Sequence, residues 1–274
     1  MPLLGCIPDA YSPLDLPLVG SAVLEAPPVI TSTNLDLRAY APEPDNQIEA
    51  GCCAHTVEAQ AVARSKAQGR TIARGSVLFL YANAILLRNL ELTPPGQDPP
   101  PLVDVGSSLR YMYRAVAPKL NPKNAQEKAG YGMIAAERWP EIPENINVVP
   151  PDDCYVAGEN CTISKYRRID DGPSSITQMR ACLERLHFPT FCMMWDDAAA
   201  NIGGKIYDQP GGKVHGGHCV LCVAHFPKLG AFLMRNSHGK LFGMDGGYFL
   251  VSERFVATES FDKWDGEVIV GDVQ

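Results

Sequence analysis

The most informative run of this sequence is Asn46-Gln47-Ile48-Glu49-Ala50-Gly51-Cys52-Cys53-Ala54-His55. From Cys53 to about Ala67 the pattern predicts a helix, because apolar residues mark one face and Gln68-Gly69 follows its end. A thiol at a helix N-terminus is favoured as thiolate by the helix dipole and by the unpaired N–H groups of the first turn. Cys53 is therefore a candidate nucleophile, although a cysteine at a helix start, taken alone, is more often a buried core thiol.

A histidine and an asparagine that could serve such a thiol occur far downstream. His218 opens an apolar run to Phe226 that predicts a buried strand, and Asn236 lies at the end of the next predicted strand, Gly230 to Arg235. An antiparallel pairing of these strands would bring the Asn236 amide oxygen within reach of the His218 imidazole. There it could fix the tautomer and the plane of the ring.

A fourth candidate precedes the thiol. Gln47 lies six positions before Cys53, and its side-chain N–H could join the backbone N–H of Cys53 in holding a developing oxyanion. The candidate catalytic residues are therefore Cys53, His218, Asn236 and Gln47.

Two other chemistries compete for these residues. Zinc is one, because four potential ligands fall within eight residues: His215, His218, Cys219 and Cys222. On a strand, however, residue 219 points away from both 218 and 222, so a tetrahedral site would need this segment not to be a strand. A vicinal redox pair at Cys52–Cys53 is the other, but no partner motif accompanies it. We predict no metal and no cofactor.

The composition excludes several classes of protein. The chain has 274 residues, 46% apolar and 20% charged, with a net charge of −7. No basic cluster indicates nucleic acid or an anionic membrane, and no run approaches the roughly 18 apolar residues of a membrane span. We predict no signal peptide, since Asp9 and Asp15 interrupt the first apolar run. The odd count of nine cysteines predicts free thiols in a reducing compartment, either the cytoplasm or a virus particle.

The distribution of secondary structure predicts an α+β fold with two lobes. Residues 1–34 contain six prolines and predict an extended arm over the surface, which could occlude a site or dock a partner. Helices are predicted at Cys53 to Ala67, Ser76 to Arg88, Gly106 to Ala117 and Ser175 to Leu186, and strands at Asn34 to Tyr40, Thr190 to Trp195, His218 to Phe226, Gly230 to Arg235 and Tyr248 to Val251. Within the domain 35–274, helices therefore dominate about 45–150 and strands about 170–256.

The order of these segments resembles the papain-like (C1) cysteine peptidases. The family's Asn-Gln-Gly-x-Cys-Gly-x-Cys loop is similar to Asn46-Gln47 followed, after five residues, by Cys53. Its Gly-His-Ala-Val motif is similar to Gly217-His218-Cys219-Val220. Its Arg-Asn-Ser-Trp-Gly…Trp-Gly…Gly-Tyr pattern is similar to Arg235-Asn236-Ser237-His238-Gly239 with Gly243 and Asp245-Gly246-Gly247-Tyr248. Val105-Gly106-Ser107-Ser108-Leu109-Arg110 and Glu137-Arg138-Trp139-Pro140 are similar to the prokaryotic and viral branch. The resemblance spans about Leu35 to Val256.

The resemblance implies a helical left lobe, a β-rich right lobe and an active cleft between them. It assigns Cys53 as nucleophile, His218 as base and acid, Asn236 as the residue that orients His218, and Gln47 as oxyanion donor. Peptide or protein would be the substrate, cleaved through a thioester acyl-enzyme.

Several positions depart from the family pattern. Ala54 stands where an aromatic residue usually follows the nucleophile, and Ala50 replaces a cysteine that in many relatives forms a disulfide. Ile48 and Glu49 replace small residues beside the oxyanion hole. His238 replaces the Trp that covers the Asn–His contact, and we expect this exchange to expose the hydrogen bond to water and weaken it.

Three functions fit these observations. The first is a cysteine peptidase or a related amide hydrolase. The second is a catalytically damped papain-like module with a structural or binding role, for which a viral particle is one setting. The third is a transferase or a peptidoglycan-type amidase on the same scaffold. The reactivity of the thiol separates the first from the second.

Overall fold

The computed structural model describes residues 5–10, 12, 15–18, 33–103, 106–118 and 130–271, with the backbone alone for 267–270. In chain order its elements are β1 (Leu35–Asp36), α1 (Cys52–Ala67), α2 (Val77–Leu92), α3 (Leu109–Val116), α4 (Asp152–Gly158), β2 (Cys161–Arg168), α5 (Ser174–Glu184), β3 (Thr190–Asp196), α6 (Asp197–Ala200), β4 (Ile206–Tyr207), β5 (Val214–Phe226), β6 (Ala231–Arg235), β7 (Tyr248–Ser252), α7 (Glu253–Thr258) and β8 (Phe261–Gly271). Short 3-10 turns lie at Pro143–Asn145 and Pro227–Leu229.

Helices α2 and α3 begin at serine caps. The Ser76 hydroxyl accepts a hydrogen bond from the backbone N–H of Phe79, and the Ser108 hydroxyl accepts one from Tyr111. Helix α2 opens with the buried apolar run 77–81, so it lies inside the helical lobe rather than on its surface.

The strands form one sheet in the order β2-β8-β3-β5-β6-β7-β4, with β1 paired to β5. The pairings are antiparallel apart from β4 with β7. In the pairing of β3 with β5, Cys192 lies opposite Cys219 and Met193 opposite His218. The predicted α+β class is confirmed.

Helix α1 connects the two halves of the structure. Ala59 and Ala63 pack into the hydrophobic cluster around the sheet, whereas Val57 and Ala61 pack into a second cluster with α2 and α3. The Thr56 hydroxyl donates to the Cys219 carbonyl oxygen at 3.1 Å. The N-terminus of α1 is therefore held against the middle of β5.

Some predicted elements differ from the structure. Helix α1 begins at Cys52 rather than Cys53, and the strand predicted over Asn34 to Tyr40 is limited to Leu35–Asp36. Helix α4 and strands β2 and β8 were not predicted, because polar residues break the alternation in β2 and β8.

The described part of the N-terminal arm is partly buried rather than laid over the surface. Cys6 is buried, and its backbone N–H donates to the Gly217 carbonyl oxygen at 3.0 Å. On its other side, Ser107 donates to the Gly5 carbonyl oxygen at 2.7 Å and accepts from the Ile7 N–H at 2.9 Å. Residues 19–32 of the arm lie outside the described residues. The arm thus enters the space between the helical lobe and β5.

Among the described residues, every helix is too short or too polar to cross a bilayer.

Candidate active site

Cys52 is the first residue of α1 and contacts His218. Gly51 caps this helix, and its carbonyl oxygen accepts from the N–H groups of Ala54 and His55 at 2.8 and 3.1 Å. Burial alone would raise the pKa of the Cys52 thiol. Hydrogen bonds with Cys53 and His218, the charge of His218 and the Gly5 backbone outweigh burial, and they hold the pKa of Cys52 well below its usual range. Cys52 therefore favours the thiolate.

Cys53 points elsewhere, which differs from the sequence-based assignment. Its sulfur lies 3.5 Å from the Ser107 carbonyl oxygen and within 4.8 Å of the Cys6 and Cys192 sulfur atoms. Burial, together with hydrogen bonds to these neighbouring thiols, raises the pKa of Cys53 well above its usual range. Successive helical residues are rotated by about 100°, so only one of the two adjacent thiols can contact His218.

The position of Cys52 at the start of α1 has a signal in the sequence. Glycine is an accepted N-cap residue, and Gly51 makes Cys52 the first helical residue. The family motif places its nucleophile six positions after the glutamine, which corresponds to Cys53, whereas the thiol that contacts His218 lies five positions after Gln47.

The structure brings His218 and Asn236 together. His218 Nε2 donates to Asn236 Oδ1 at 2.6 Å, and both side chains are buried. This bond leaves Nδ1, which has no nitrogen or oxygen partner among the described residues, as the ring atom available to the Cys52 thiol. The imidazole is thus fixed on one side and open to sulfur on the other.

His238 and Trp195 cover this contact, so the expected exposure to water is wrong. The His238 ring stacks on His218 with centroids 4.5 Å apart, and Trp195 meets His218 edge-on at 4.6 Å. Asn236 Nδ2 donates to His238 Nδ1 at 3.3 Å. Burial, with the charges of His218 and His55, lowers the pKa of His238 to about 2, so this ring is neutral and serves as an aromatic cover.

Gln47 lies beside the same loop and is buried. Its Nε2 donates to the Glu49 carbonyl oxygen at 3.1 Å, and its Oε1 accepts from the Ser237 hydroxyl at 2.6 Å. The Gln47 backbone N–H also donates to the Ser237 carbonyl oxygen at 3.0 Å. These bonds tie Gln47 to the residue that follows Asn236.

The arm lies directly beside these groups. Cys6 packs with Cys53 and Cys192, and its sulfur is 2.7 Å from that of Cys192. A Cβ on Gly217 would lie 2.0 Å from the Cys6 carbonyl oxygen, so the residue before His218 needs to be glycine while the arm is bound.

The ligand set considered for zinc is not brought together. His215 Nε2 lies 2.7 Å from Asp197 Oδ1, and His218 is committed to Asn236. Cys219 and Cys222 belong to two different hydrophobic clusters.

Comparison with known proteins identifies the fold. No protein-family model matches the chain, and no curated protein matches its sequence. Xylellain, a cysteine protease from Xylella fastidiosa, superposes with a TM-score of 0.73 at 21% identity, over 99% of this chain and 96% of its own. Procathepsin B S9 from Trypanosoma congolense has a TM-score of 0.64 at 14% identity, with coverages of 99% and 87%. Bromelain from Ananas comosus has a TM-score of 0.58 at 14% identity, with coverages of 88% and 99%. The chain therefore has the papain-like cysteine protease fold.

Proposed function

We propose that this chain is a cysteine peptidase with Cys52 as its nucleophile. The supporting observation is the pairing of a low-pKa thiol on a helix N-terminus with an imidazole that Asn236 holds at 2.6 Å. In this proposal His218 is the general base and acid, and Asn236 orients it. The backbone N–H of Cys52 and the Gln47 amide are the oxyanion donors.

The acylation step follows from these roles. The Cys52 thiolate attacks the carbonyl carbon of the scissile bond, and the carbonyl π electrons move onto oxygen. His218 then gives its Nδ1 proton to the leaving nitrogen as the C–N bond breaks. The amine product departs, and the acyl group remains on sulfur as a thioester.

Deacylation reverses the role of the imidazole. Neutral His218 takes a proton from water, and the water oxygen attacks the thioester carbonyl. The C–S bond breaks, the carboxylic acid product leaves, and the thiolate–imidazolium pair is restored.

A peptide substrate would compete with the arm. The Ser107 and Gly217 backbone groups bind Gly5, Cys6 and Ile7 as an extended strand, and an extended substrate could use the same groups. Cys52 itself is fully buried while the arm is bound. We therefore propose that the arm leaves the cleft before cleavage.

Displacing the arm makes the proposal testable. A Cβ on Gly5 would lie 2.0 Å from the Ala50 carbonyl oxygen, so Gly5→Val should release this segment. In that background we would measure iodoacetamide labelling from pH 5 to 9, map the labelled thiol by mass spectrometry and assay cleavage of an unfolded protein. Fast labelling of Cys52 below pH 7, lost in His218→Ala, together with cleavage lost in Cys52→Ala, is the expected result.

Other labelling results would contradict the peptidase proposal or narrow it. Labelling that is slow, rises only near the ordinary thiol pKa and ignores His218 would leave a papain-like scaffold with a binding role. Thiolate-type labelling without cleavage would direct the search to acyl transfer or to amidase substrates. The proposed chemistry requires reduced thiols, in keeping with the cytoplasmic or virion location expected from the sequence.

A further inference from the structure

A second cluster of ionisable groups lies next to the Gln47–Cys52 loop. His55 and Glu49 are fully buried, and Glu141 is partly exposed. His55 Nε2 lies 3.2 Å from Glu49 Oε1 and 3.2 Å from Glu141 Oε1, and the three atoms fall within 4.8 Å of one another. These residues play no part in the proposed hydrolysis.

Hydrogen bonding leaves one atom of this cluster without a partner, although the Glu49 and Glu141 side chains also hydrogen-bond to each other. Nε2 of an imidazole carries at most one proton, so it cannot donate fully to two carboxylates at once. Glu141 Oε1 also accepts from the Ile48 N–H at 3.3 Å, but the second oxygen of Glu49 is buried with no partner among the described residues. An unpaired buried carboxylate oxygen is costly, and it points to a ligand that completes the group.

The other ring nitrogen of His55, Nδ1, faces a carboxylate, as the far nitrogen of a metal-binding histidine usually does. His55 Nδ1 lies 3.2 Å from Asp45 Oδ2, and Asp45 is anchored by Arg74 at 2.8 Å and Arg235 at 3.0 Å. A carboxylate on the far nitrogen of a metal-binding histidine fixes its tautomer and presents Nε2 to the ion. Asp45 is thus compensated by two arginines, whereas within the part of the chain that the structure describes, His55 is the cationic partner of Glu49 and Glu141.

We infer that His55 Nε2, Glu49 and Glu141 bind a divalent first-row transition-metal ion. Metal–ligand distances of about 2.0–2.2 Å in a tetrahedral site place the ligand atoms about 3.3–3.6 Å apart. This is close to the 3.2 Å that separates His55 Nε2 from an oxygen of each carboxylate. The two carboxylates balance the charge of the ion, and the exposed side of Glu141 gives access and room for water. A nitrogen and two oxygens suit Mn²⁺ or Zn²⁺.

The ion would brace the loop that carries the catalytic thiol. A Cβ on Gly51 would lie 2.3 Å from Glu49 Oε1, so the Glu49 carboxylate packs directly against the residue before Cys52. The Glu49 carbonyl oxygen also accepts from Gln47. The site would therefore join the loop, α1 and the segment after Trp139 at one point.

The test uses Mn²⁺, because thiolates prefer softer ions and the cysteine cluster should not compete for it. Titration of the full chain with MnCl₂ by calorimetry and by the loss of the free Mn²⁺ EPR signal should give one site and a raised melting temperature. Glu141→Gln and Glu49→Gln should each weaken binding by at least the roughly 10- to 100-fold that loss of an outer-shell partner already causes, because both are direct ligands in this inference. Glu144→Gln, an exposed change in the same segment, and Cys192→Ser should bind like wild type.

Two results would overturn the inference. Binding that survives both Gln substitutions but is lost in Cys192→Ser would place the ion at the thiols. No binding at millimolar Mn²⁺, with the melting temperature unchanged and with Zn²⁺ binding that is the same in wild type and in both Gln variants, would leave an imidazolium–carboxylate cluster without a metal role. Neither readout depends on peptidase activity, so failure here is distinguishable from failure of the proposed function.

Discussion

Replacing Asn236 by alanine should slow the reactions of Cys52 without unfolding the protein. The substitution removes the oxygen that accepts from His218 Nε2 at 2.6 Å in a buried setting. A hydrogen bond to a charged group is worth about 1.5–3 kcal/mol, and each 1.4 kcal/mol is about tenfold in rate. The loss therefore corresponds to about a 10- to 150-fold lower rate.

The loss of Asn236 should destabilise the charged form of the Cys52–His218 pair, thiolate and imidazolium. Asn236 stabilises the imidazolium, so its loss should move the midpoint of Cys52 labelling to higher pH as well as lower the rate. We would compare second-order alkylation rates from pH 5 to 9 in the Gly5→Val background, with the exposed Asn201→Ala as matched control. Labelling profiles that coincide in the presence and absence of Asn236 would refute the positioning role, provided that the melting temperatures agree.

Three further predictions concern the arm, the cover and the pH response. Gly5→Val should raise peptidase activity by releasing the arm, while Gly204→Val, where a Cβ meets open space, should leave it unchanged. If the Gly5→Val and Gly204→Val variants have equal activity, the arm does not block the cleft. His238→Ala should lower kcat by letting water reach the His218 contact, whereas His238→Phe should retain more of it; the ratio of the two kcat values is the readout. Burial raises the pKa of Asp262 to about 7, and the charge of Asp9 adds to the rise. Because this folded-state pKa is raised, the contribution of Asp262 to stability is greatest below pH 4 and falls as pH rises through about 7. Asp262→Asn should remove that part of the melting-temperature change between pH 5 and 8, and an unchanged slope would contradict it.

Much of the fold could be predicted from the sequence because its strongest patterns are local. The apolar run of α2 and its Ser76 cap predict that helix from its own residues, and the apolar run that starts at His218 predicts most of strand β5. The order of the motifs then indicated the two-lobed arrangement. Strand β8 could not be predicted in this way, because buried Lys263 and Asp265 interrupt its apolar pattern, and their partners Asp171 and His187 are far away in the sequence.

The site was predicted less completely, because the expected nucleophile, Cys53, lies one residue after the thiol that contacts His218. His218 and Asn236 follow from strand pairing, which the sequence reveals. Which of Cys52 and Cys53 contacts His218 depends on the rotation of α1, and a helix start shifted by one residue turns the other thiol toward His218. In the buried group of His55, Glu49 and Glu141, the first two are six positions apart, but Glu141 lies 86 positions beyond His55, so no local pattern connects it to them.

The neutrality of His238 has a consequence for the acid side of the pH–activity profile. With a pKa near 2, this ring takes up no proton at any pH at which the protein would work. A protonated neighbour stacked at 4.5 Å would repel the His218 imidazolium and broaden the onset of activity. Since His238 stays uncharged, the acid limb of the profile reports the ionisation of the Cys52–His218 pair alone.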